Sequence, residues 1–173
     1  MLEMIVNRRS VFVLSVTAAM MISGCGFQLR GSGTQSDLPF RTMHVALPDT
    51  SSLGTHLRRN IGAGATTITA DPKTAEAVVE VLSEVQNKEI LSLNSQGRVR
   101  ENALFYRVVF RVKNSKGTNF IPSTEIVLKR VMSFNESQVL AKEMEEASLY
   151  RDMQGDMARQ ILRRIAALKP SAS

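Results

Sequence analysis

Residues 104–134, LFYRVVFRVKNSKGTNFIPSTEIVLKRVMSF, decide the fold of this 173-residue chain. Apolar residues recur at every second position of the first part, which is typical of a strand with one buried face; they are Leu104, Tyr106, Val108, Phe110 and Val112. The run Asn114-Ser115-Lys116-Gly117 has the residue types of a turn. After it, Ile126, Leu128, Met132 and Phe134 again share one phase, so the stretch predicts two antiparallel strands.

The residues before this stretch predict one more long strand and, nearer the N-terminus, a shorter strand followed by a helix. From residue 75 the period is two, and a turn at residues 94–97 connects this strand to the next. The apolar phase contains Ala77, Val79, Val81 and Val85. Nearer the N-terminus, Met43, Val45 and Leu47 alternate with other residues as in a strand. A helix capped by Ser51 or Ser52 follows, with Leu53, Leu57 and Ile61 on one face.

The C-terminal segment predicts the longest helix. Asn135 is a candidate N-cap, and Gln138 stands three residues later as in a capping box. One apolar stripe follows at spacings of three, four or seven: Leu140, Met144, Ala147, Tyr150, Met157, Ile161, Ile165 and Leu168. Lys169-Pro170 closes the helix.

The order of these elements is β-α-β-β-β-α. A strand that returns through a helix usually lies parallel to the next strand, whereas short turns make antiparallel neighbours. The sequence therefore predicts an α+β domain over residues 38–169, with a mixed four-stranded sheet packed on one face by two helices. Residues 170–173 are predicted to be a polar tail.

The N-terminus has the layout of a cleaved export signal. Asn7, Arg8 and Arg9 precede an apolar run of about a dozen residues, which is short for a membrane-spanning helix. The run ends in Ile22-Ser23-Gly24-Cys25, which resembles the lipobox of bacterial lipoproteins. Residues 1–24 are thus predicted to be a signal peptide, Cys25 to carry diacylglycerol and an N-acyl chain, and residues 25–37 to form a tether. The alternative is an ordinary signal peptide followed by a free thiol.

Charge and composition narrow the class of partner. Removing residues 1–24 takes away Glu3, Arg8 and Arg9, so the mature chain keeps a formal charge of +5 out of +6. Such a balance favours anionic partners, and export together with the lack of a nucleic-acid motif argues against nucleic acid. His44 and His56 are the only histidines, and the pattern contains no metal-ligand cluster and no nucleophile elbow. We therefore expect no catalysis, no bound metal ion and no cofactor other than the acyl chains.

Two parts of the chain resemble the LptE family, the lipopolysaccharide-assembly lipoproteins of Gram-negative outer membranes. The first is residues 25–31, CGFQLRG. The second is a series in the C-terminal half: Arg130, Phe134-Asn135, Leu140-Ala141-Lys142, the acidic residues 143–146, Asp152-Met153 and residues 159–164, RQILRR. The resemblance spans the mature chain, although residues 50–100 carry no signature of their own.

The resemblance implies a structural partner in place of a catalyst. Family members sit as a plug inside the large β-barrel LptD, one to one, and the pair inserts lipopolysaccharide into the outer leaflet. The implied location is the outer membrane, with a lipid anchor on the periplasmic side and the domain in the barrel lumen. An alternative class is a periplasm-facing lipoprotein that binds another envelope ligand or scaffolds another assembly machine.

Basic side chains are the candidates for binding lipopolysaccharide, because lipid A carries phosphates. They are Arg98, Arg100, Arg107, Arg111, Lys129, Arg130 and Lys142. For three of them the alternative is a solvated sheet face on which Arg107, Arg111 and Lys129 pair with Glu80, Glu84 and Glu125. Arg130 shares the apolar phase of its strand, so an ion pair with a helix carboxylate is the favoured interpretation there. Lys142 matches the family, but a lysine in a first helical turn is usually only solvated. Phe105 and Val109 are candidates for barrel contact.

Overall fold

The computed structural model describes residues 38–168, and the elements run in an order close to the predicted one. The predictions for residues 1–24, 25–37 and 169–173, including Cys25, lie outside the described residues. In chain order the elements are β1 (Thr42–Ala46), α1 (Ser52–Gly62), β2 (Thr67–Ile68), β3 (Ala77–Leu93), β4 (Val99–Lys113), β5 (Asn119–Ser133), a 3-10 turn (Glu136–Gln138) and α2 (Val139–Ala166).

The sheet has five strands in the order β2-β1-β3-β4-β5, so the predicted count of four was wrong by one short strand. β1 lies parallel to both β2 and β3, and the β3–β4 and β4–β5 pairs are antiparallel. The extra strand, Thr67–Ile68, has two residues, which is too short for a period of two to be visible in sequence. The predicted mixed sheet of an α+β domain is confirmed.

Both helices pack on one face of this sheet. Leu53, Leu57 and Ile61 of α1 are buried, as their spacing predicts, and Ser51 Oγ accepts a hydrogen bond from the Gly54 N–H at 3.0 Å. From α2 the core receives Met153, Met157, Ala158, Ile161 and Ile165. The apolar phase of β4 faces these side chains and is fully buried. The opposite side of the sheet, called the open face below, carries Phe105, Arg107 and Val109.

A β-bulge in β3 changes which of its side chains face the helices. Val81 pairs with Phe110, but the next paired residue is Ser83, opposite Val109, so Leu82 is the extra residue. From Glu84 to Ile90 the even positions face the helices, and Val85 lies opposite Arg107 on the open face. The prediction that Val85 shares the buried face of Ala77 and Val79 was therefore wrong, since one inserted residue exchanges the two faces.

The start of the long helix also differs from the prediction. Asn135 Oδ1 accepts a hydrogen bond from the Ser137 N–H at 3.0 Å and caps the 3-10 turn, while α2 begins at Val139. Gln138 occupies the cap position of α2 without a side-chain hydrogen bond, so the predicted capping box does not form. Only the middle of the predicted apolar stripe is buried, at Met157, Ile161 and Ile165, while Tyr150 and Leu168 are partly buried. Its first members, Leu140, Met144 and Ala147, are exposed.

The domain has two ends, which strand directions define. The proximal end holds Leu38, the start of β3 and the β4–β5 turn at residues 114–117. The other end holds the β3–β4 turn at residues 94–97 and the start of α2. We call residues 82–105 and 128–151 the distal half, and residues 38–81, 106–127 and 152–168 the proximal half.

Candidate functional site

In the described part of the chain, no cluster of three or more His, Cys, Asp or Glu side chains could hold a metal ion. Within residues 38–168, no helix is both long and apolar enough to cross a membrane. The seven basic candidates divide between the open face and the distal end, so we describe the candidate site as a surface.

On the open face, two of the candidate arginines are held by carboxylates. Arg107 Nη1 lies 2.8 Å from Glu125 Oε2 on the neighbouring strand. Glu80 forms two ion pairs, one with Arg111 Nε at 2.6 Å and one with Lys113 Nζ at 2.6 Å. Burial raises the pKa of Glu80, but the hydrogen bonds and charges of Lys113 and Arg111 outweigh this and lower it. These contacts match the predicted pairing for Arg107 and Arg111, but within residues 38–168 neither Lys129 nor Glu84 takes part in an ion pair.

The middle of the open face combines cationic and apolar side chains. Lys129 Nζ stands over the Phe105 ring, 5.4 Å from its centroid, in a cation–π contact. In the next row, Arg107 lies between Val85 on β3 and Val127 on β5, both of which are more than 40% exposed. Neither helix of the described residues packs on this surface, so apolar and charged groups are presented together across three strands.

Arg130 points toward the helices, as its strand phase predicts. Its Nη2 lies 2.6 Å from Asp156 Oδ2 on α2, and Arg159 contacts the other oxygen of the same carboxylate. Two cations therefore share one anion at this strand–helix junction. The geometry favours the structural ion pair over a free ligand-binding side chain.

Lys142 is also held by neighbours. Its Nζ lies 2.8 Å from Glu145 Oε2 and 3.1 Å from Ser133 Oγ, and its side chain is only 14% exposed. These contacts tie the first turn of α2 to the end of β5. An incoming phosphate would meet the ammonium group only by displacing Glu145.

The two arginines beside the β3–β4 turn differ in their freedom. Arg98 contacts Gln96 and, at 3.3 Å, Glu136 in the 3-10 turn. Arg100 is exposed and stands at an irregularity where β4 has one residue more than β3. Within residues 38–168 its guanidinium makes no hydrogen bond or ion pair. Of the seven candidates, Arg100 is thus the guanidinium most available to an anionic ligand.

Exposed apolar side chains concentrate in the distal half, a feature that the sequence did not reveal. Ten large apolar side chains are exposed among the described residues, and only Val127 belongs to the proximal half. The others are Leu82, Val85, Ile90, Leu91, Leu93, Val131, Val139, Leu140 and Met144. Leu140 and Met144 are 72% and 69% exposed, although their spacing resembles that of a buried stripe. The sequence signal that could have identified Ile90, Leu91 and Leu93 is their clustering as apolar residues near the end of one strand. In the structure, β1 pairs only with the start of β3, so this part of β3 has β4 as its one described neighbour.

Two open cavities lie beside the sheet. One, of about 640 Å³, is at the carboxyl end of β1 and contains His44 and Arg58, whose polar groups bond to backbone carbonyls. The other, of about 500 Å³, lies between β3 and α2 and is crossed by the ion pair of Lys88 with Glu146 at 2.7 Å. Because Arg58 in the first cavity and Lys88 and Glu146 in the second already have partners within the domain, neither cavity is our candidate site.

Comparison with known proteins agrees with this architecture. The family model described as "LptE: Lipopolysaccharide-assembly" matches residues 40–165. "LPS-assembly lipoprotein LptE" from Photorhabdus laumondii is 24% identical over 92% of this chain and 86% of its own length. The protein of the same name from Yersinia enterocolitica is 25% identical over 92% of this chain and 76% of its own length.

Solved structures have the same fold. Lipoprotein B from Nitrosomonas europaea, solved by NMR in solution, has a TM-score of 0.69 and 37% identity, covering 83% of this chain and 92% of that one. Rare lipoprotein B from Shewanella oneidensis has a TM-score of 0.65 at 22% identity, covering 73% and 94%, which supports the fold alone. Since the family match spans most of the domain, this chain belongs to the LptE family of lipopolysaccharide-assembly lipoproteins.

Proposed function

We propose that this protein is an outer-membrane lipoprotein, anchored through acyl chains on Cys25, that plugs the LptD β-barrel one to one and helps it assemble. It binds lipopolysaccharide while the barrel inserts that lipid into the outer leaflet. Its role is structural and not catalytic. Family membership supports the assembly role, and the names of the two curated relatives point the same way.

The observation that carries the proposal is the concentration of exposed apolar side chains in the distal half. A monomer rarely exposes so many large apolar groups together, and surfaces of this kind are typical of contact sites. The open face continues this surface with Val85, Phe105 and Val127 among charged groups. Strands of 15 residues make this face about 50 Å long, enough to line a barrel lumen from end to end.

The distal end also suits an amphipathic ligand. Lipid A combines acyl chains with phosphates. Here Leu93 and Leu140 are exposed in the same half of the domain as Arg100, whose guanidinium has no partner within residues 38–168. A guanidinium binds phosphate oxygens through charge-assisted hydrogen bonds. We therefore assign ligand contact first to Arg100, then to Arg98, and only after displacement of Glu145 to Lys142.

Purification from solubilised outer membranes tests the barrel partner. The tagged full chain should recover one large β-barrel at equal stoichiometry, together with lipopolysaccharide. A photo-crosslinking residue at Val127 or Leu140 should capture that barrel. The matched control is Arg163 on the solvent side of α2, in the proximal half, and should crosslink much less. Recovery of other envelope proteins without the barrel would favour the alternative lipoprotein class.

Lipopolysaccharide binding has a separate test with the same full chain. Arg100→Gln should weaken binding of purified lipopolysaccharide by roughly tenfold, since one charge-assisted contact to phosphate is lost. Arg163→Gln removes an equal charge from an exposed site and should change binding by less than about twofold. Equal effects of the two substitutions would mean that net charge, and not the distal end, controls binding.

A further inference from the structure

We infer that the proximal end of the domain is a second membrane contact, one that binds anionic phospholipid headgroups through its basic side chains. The inference rests on the proposed anchoring at Cys25 and adds to it an orientation of the domain on the inner leaflet. Its occupant is a lipid surface that carries phosphatidylglycerol.

The net charge of the described residues lies entirely in the proximal half. That half contains eleven Lys and Arg residues against seven Asp and Glu residues, whereas the distal half contains seven of each. The described chain is thus a domain with one basic end and one neutral end. The acidic run 143–146 at the start of α2 accounts for much of the distal balance.

The predicted tether enters the domain at this basic end. Leu38 leads into β1, and Phe40 packs on Phe120 at the start of β5, with ring centroids 4.9 Å apart. The carbonyl of Phe40 accepts a hydrogen bond from Thr66 at 2.9 Å. The 13 residues from Cys25 to Asp37 span at most about 45 Å when extended, about the length of the domain itself. An anchored domain therefore stays within its own length of the membrane, and its basic end is the end attached to the tether.

Three cations at this end have no partner that would neutralise them. Arg41, Lys73 and Lys116 are exposed, and within residues 38–168 their charged groups form no ion pair. Arg59, Arg163 and Arg164 stand in the last turns of the two helices, where they offset the negative ends of the helix dipoles. Two exposed carboxylates at this end, Asp71 and Glu76, likewise form no ion pair within residues 38–168. The positive excess therefore comes from the three free cations together with the three helix-end arginines, which outnumber these carboxylates.

The chemistry of the surface determines the kind of contact. Val127 is the one exposed large apolar side chain of the proximal half among the described residues, and it lies on the open face in mid-strand. The end therefore has little to insert into the acyl layer. It is suited to electrostatic attraction, which falls off within a Debye length and weakens with salt.

The experiment compares two turns of the same kind at opposite ends. In residues 94–97 and 114–117 the Asn side chain accepts hydrogen bonds from two following N–H groups, and the glycine has a positive φ. Ser115→Cys and Ser95→Cys in the full lipidated chain would each carry an environment-sensitive dye. The chains are reconstituted into vesicles of phosphatidylcholine, with or without about one third phosphatidylglycerol, and a headgroup-labelled quencher reports proximity.

Quenching of the Ser115→Cys label should rise about twofold with phosphatidylglycerol and return to the neutral-lipid value at high salt. The Ser95→Cys label should not respond. Adding Arg41→Glu and Lys116→Glu should abolish the rise, whereas the distal pair Arg98→Glu and Arg100→Glu should leave it in place. A response at both turns, or at neither, would overturn the inference.

Failure of the anchor can be recognised separately. Intact mass of the purified chain reports the acyl chains on Cys25. If the mass shows none, the anchoring proposal fails, and flotation of that chain with phosphatidylglycerol vesicles still tests the basic end. Salt-sensitive flotation that Arg41→Glu and Lys116→Glu remove would support the contact, and absence of flotation would contradict it.

Discussion

The Tyr106 hydroxyl donates a hydrogen bond of 2.6 Å to Oε1 of Glu84, two residues beyond the bulge at Leu82. The bulge turns Glu84 to the helix side of the sheet, where Tyr106 is buried among the core residues. Burial raises the pKa of Tyr106, and the nearby carboxylate raises it further, so the phenol remains a neutral donor. This contact joins β3, just past the bulge, to β4.

Tyr106→Phe should lower the free energy of unfolding by about 1 kcal/mol, because it removes this hydrogen bond and leaves an exposed carboxylate that water can solvate. Urea unfolding followed by circular dichroism measures the change. Glu84→Gln keeps an acceptor oxygen and serves as the matched variant, with a smaller loss. A Tyr106→Phe protein as stable as the wild type would mean that the hydrogen bond does not stabilise the bulge.

The ion-pair cluster of Glu80 should make stability depend on acid. Lys113 and Arg111 lower the pKa of Glu80 below its usual 4.5. The contribution of the Glu80 ion pairs to the free energy of unfolding is therefore fully present above pH 4.5. It is lost as the pH falls through the lowered pKa, because protonation removes both ion pairs. Glu80→Gln should therefore cost about 1 kcal/mol at pH 7 and lose less than the wild type on acidification.

Unfolding free energies measured between pH 7 and pH 3 test this dependence. The control is Glu143→Gln, which neutralises an exposed carboxylate with no ion-pair partner within residues 38–168. It should leave the acid slope unchanged. Parallel slopes for Glu80→Gln and the wild type would contradict the assignment.

Gly155 marks the place where α2 passes His56 of α1. A Cβ built there would lie 3.6 Å from His56 Cε1, an ordinary van der Waals distance. Gly155→Ala should therefore be tolerated and should raise stability by about 0.5–1 kcal/mol through its helix propensity. Gly155→Leu should overfill the contact and cost about 1–3 kcal/mol.

Thermal unfolding of the two Gly155 variants provides the measurement. The pair shares the same loss of backbone freedom, so their difference reports the space between α1 and α2. If Gly155→Leu were as stable as Gly155→Ala, the two helices would pack less closely at this position than the structure shows.

The ion pair of Arg130 with Asp156 distinguishes a structural role from ligand binding. Because the arginine side chain is half exposed, the coupling energy in a double-mutant cycle of Arg130→Gln and Asp156→Asn should not exceed about 1 kcal/mol. Asp156→Asn leaves Arg130 without its partner on α2. If Arg130 serves only structure, any change that Asp156→Asn causes in lipopolysaccharide binding, measured by titration of the full chain, should be the same with and without Arg130→Gln, because Asp156 also holds Arg159. An increase that Arg130→Gln removes would assign Arg130 to the ligand.

Local patterns predicted the elements that bury a complete face. In β4 the apolar phase of Tyr106 and Phe110 is fully buried, and in α1 the spacing of Leu53 and Leu57 marks the buried side. Arg130 also follows its strand phase. Each of these residues lies in a stretch where the apolar pattern continues without interruption. The neighbouring residues in sequence are therefore enough to predict which face its side chain lies on.

The candidate site was less predictable, for a physical reason. The basic residues and the carboxylates Glu80 and Glu125 of the open face could be named from sequence, but the particular helix carboxylate that holds Arg130 could not, since Asp156 is remote along the chain from it. Whether a cation is free depends on such contacts. Arg100 therefore stands out only once the positions of the other carboxylates are known.

By itself, the sequence determined the type and order of nearly all the elements and, through two separate motifs, the family. Only the tertiary structure decided the short strand β2, the bulge at Leu82 and the exposure of Leu140 and Met144. A period of two or 3.6 states which side chains share a face, but not whether another layer covers that face. Whether a face is covered depends on where the neighbouring elements end. In this domain β3 extends beyond both β1 and the buried part of α2.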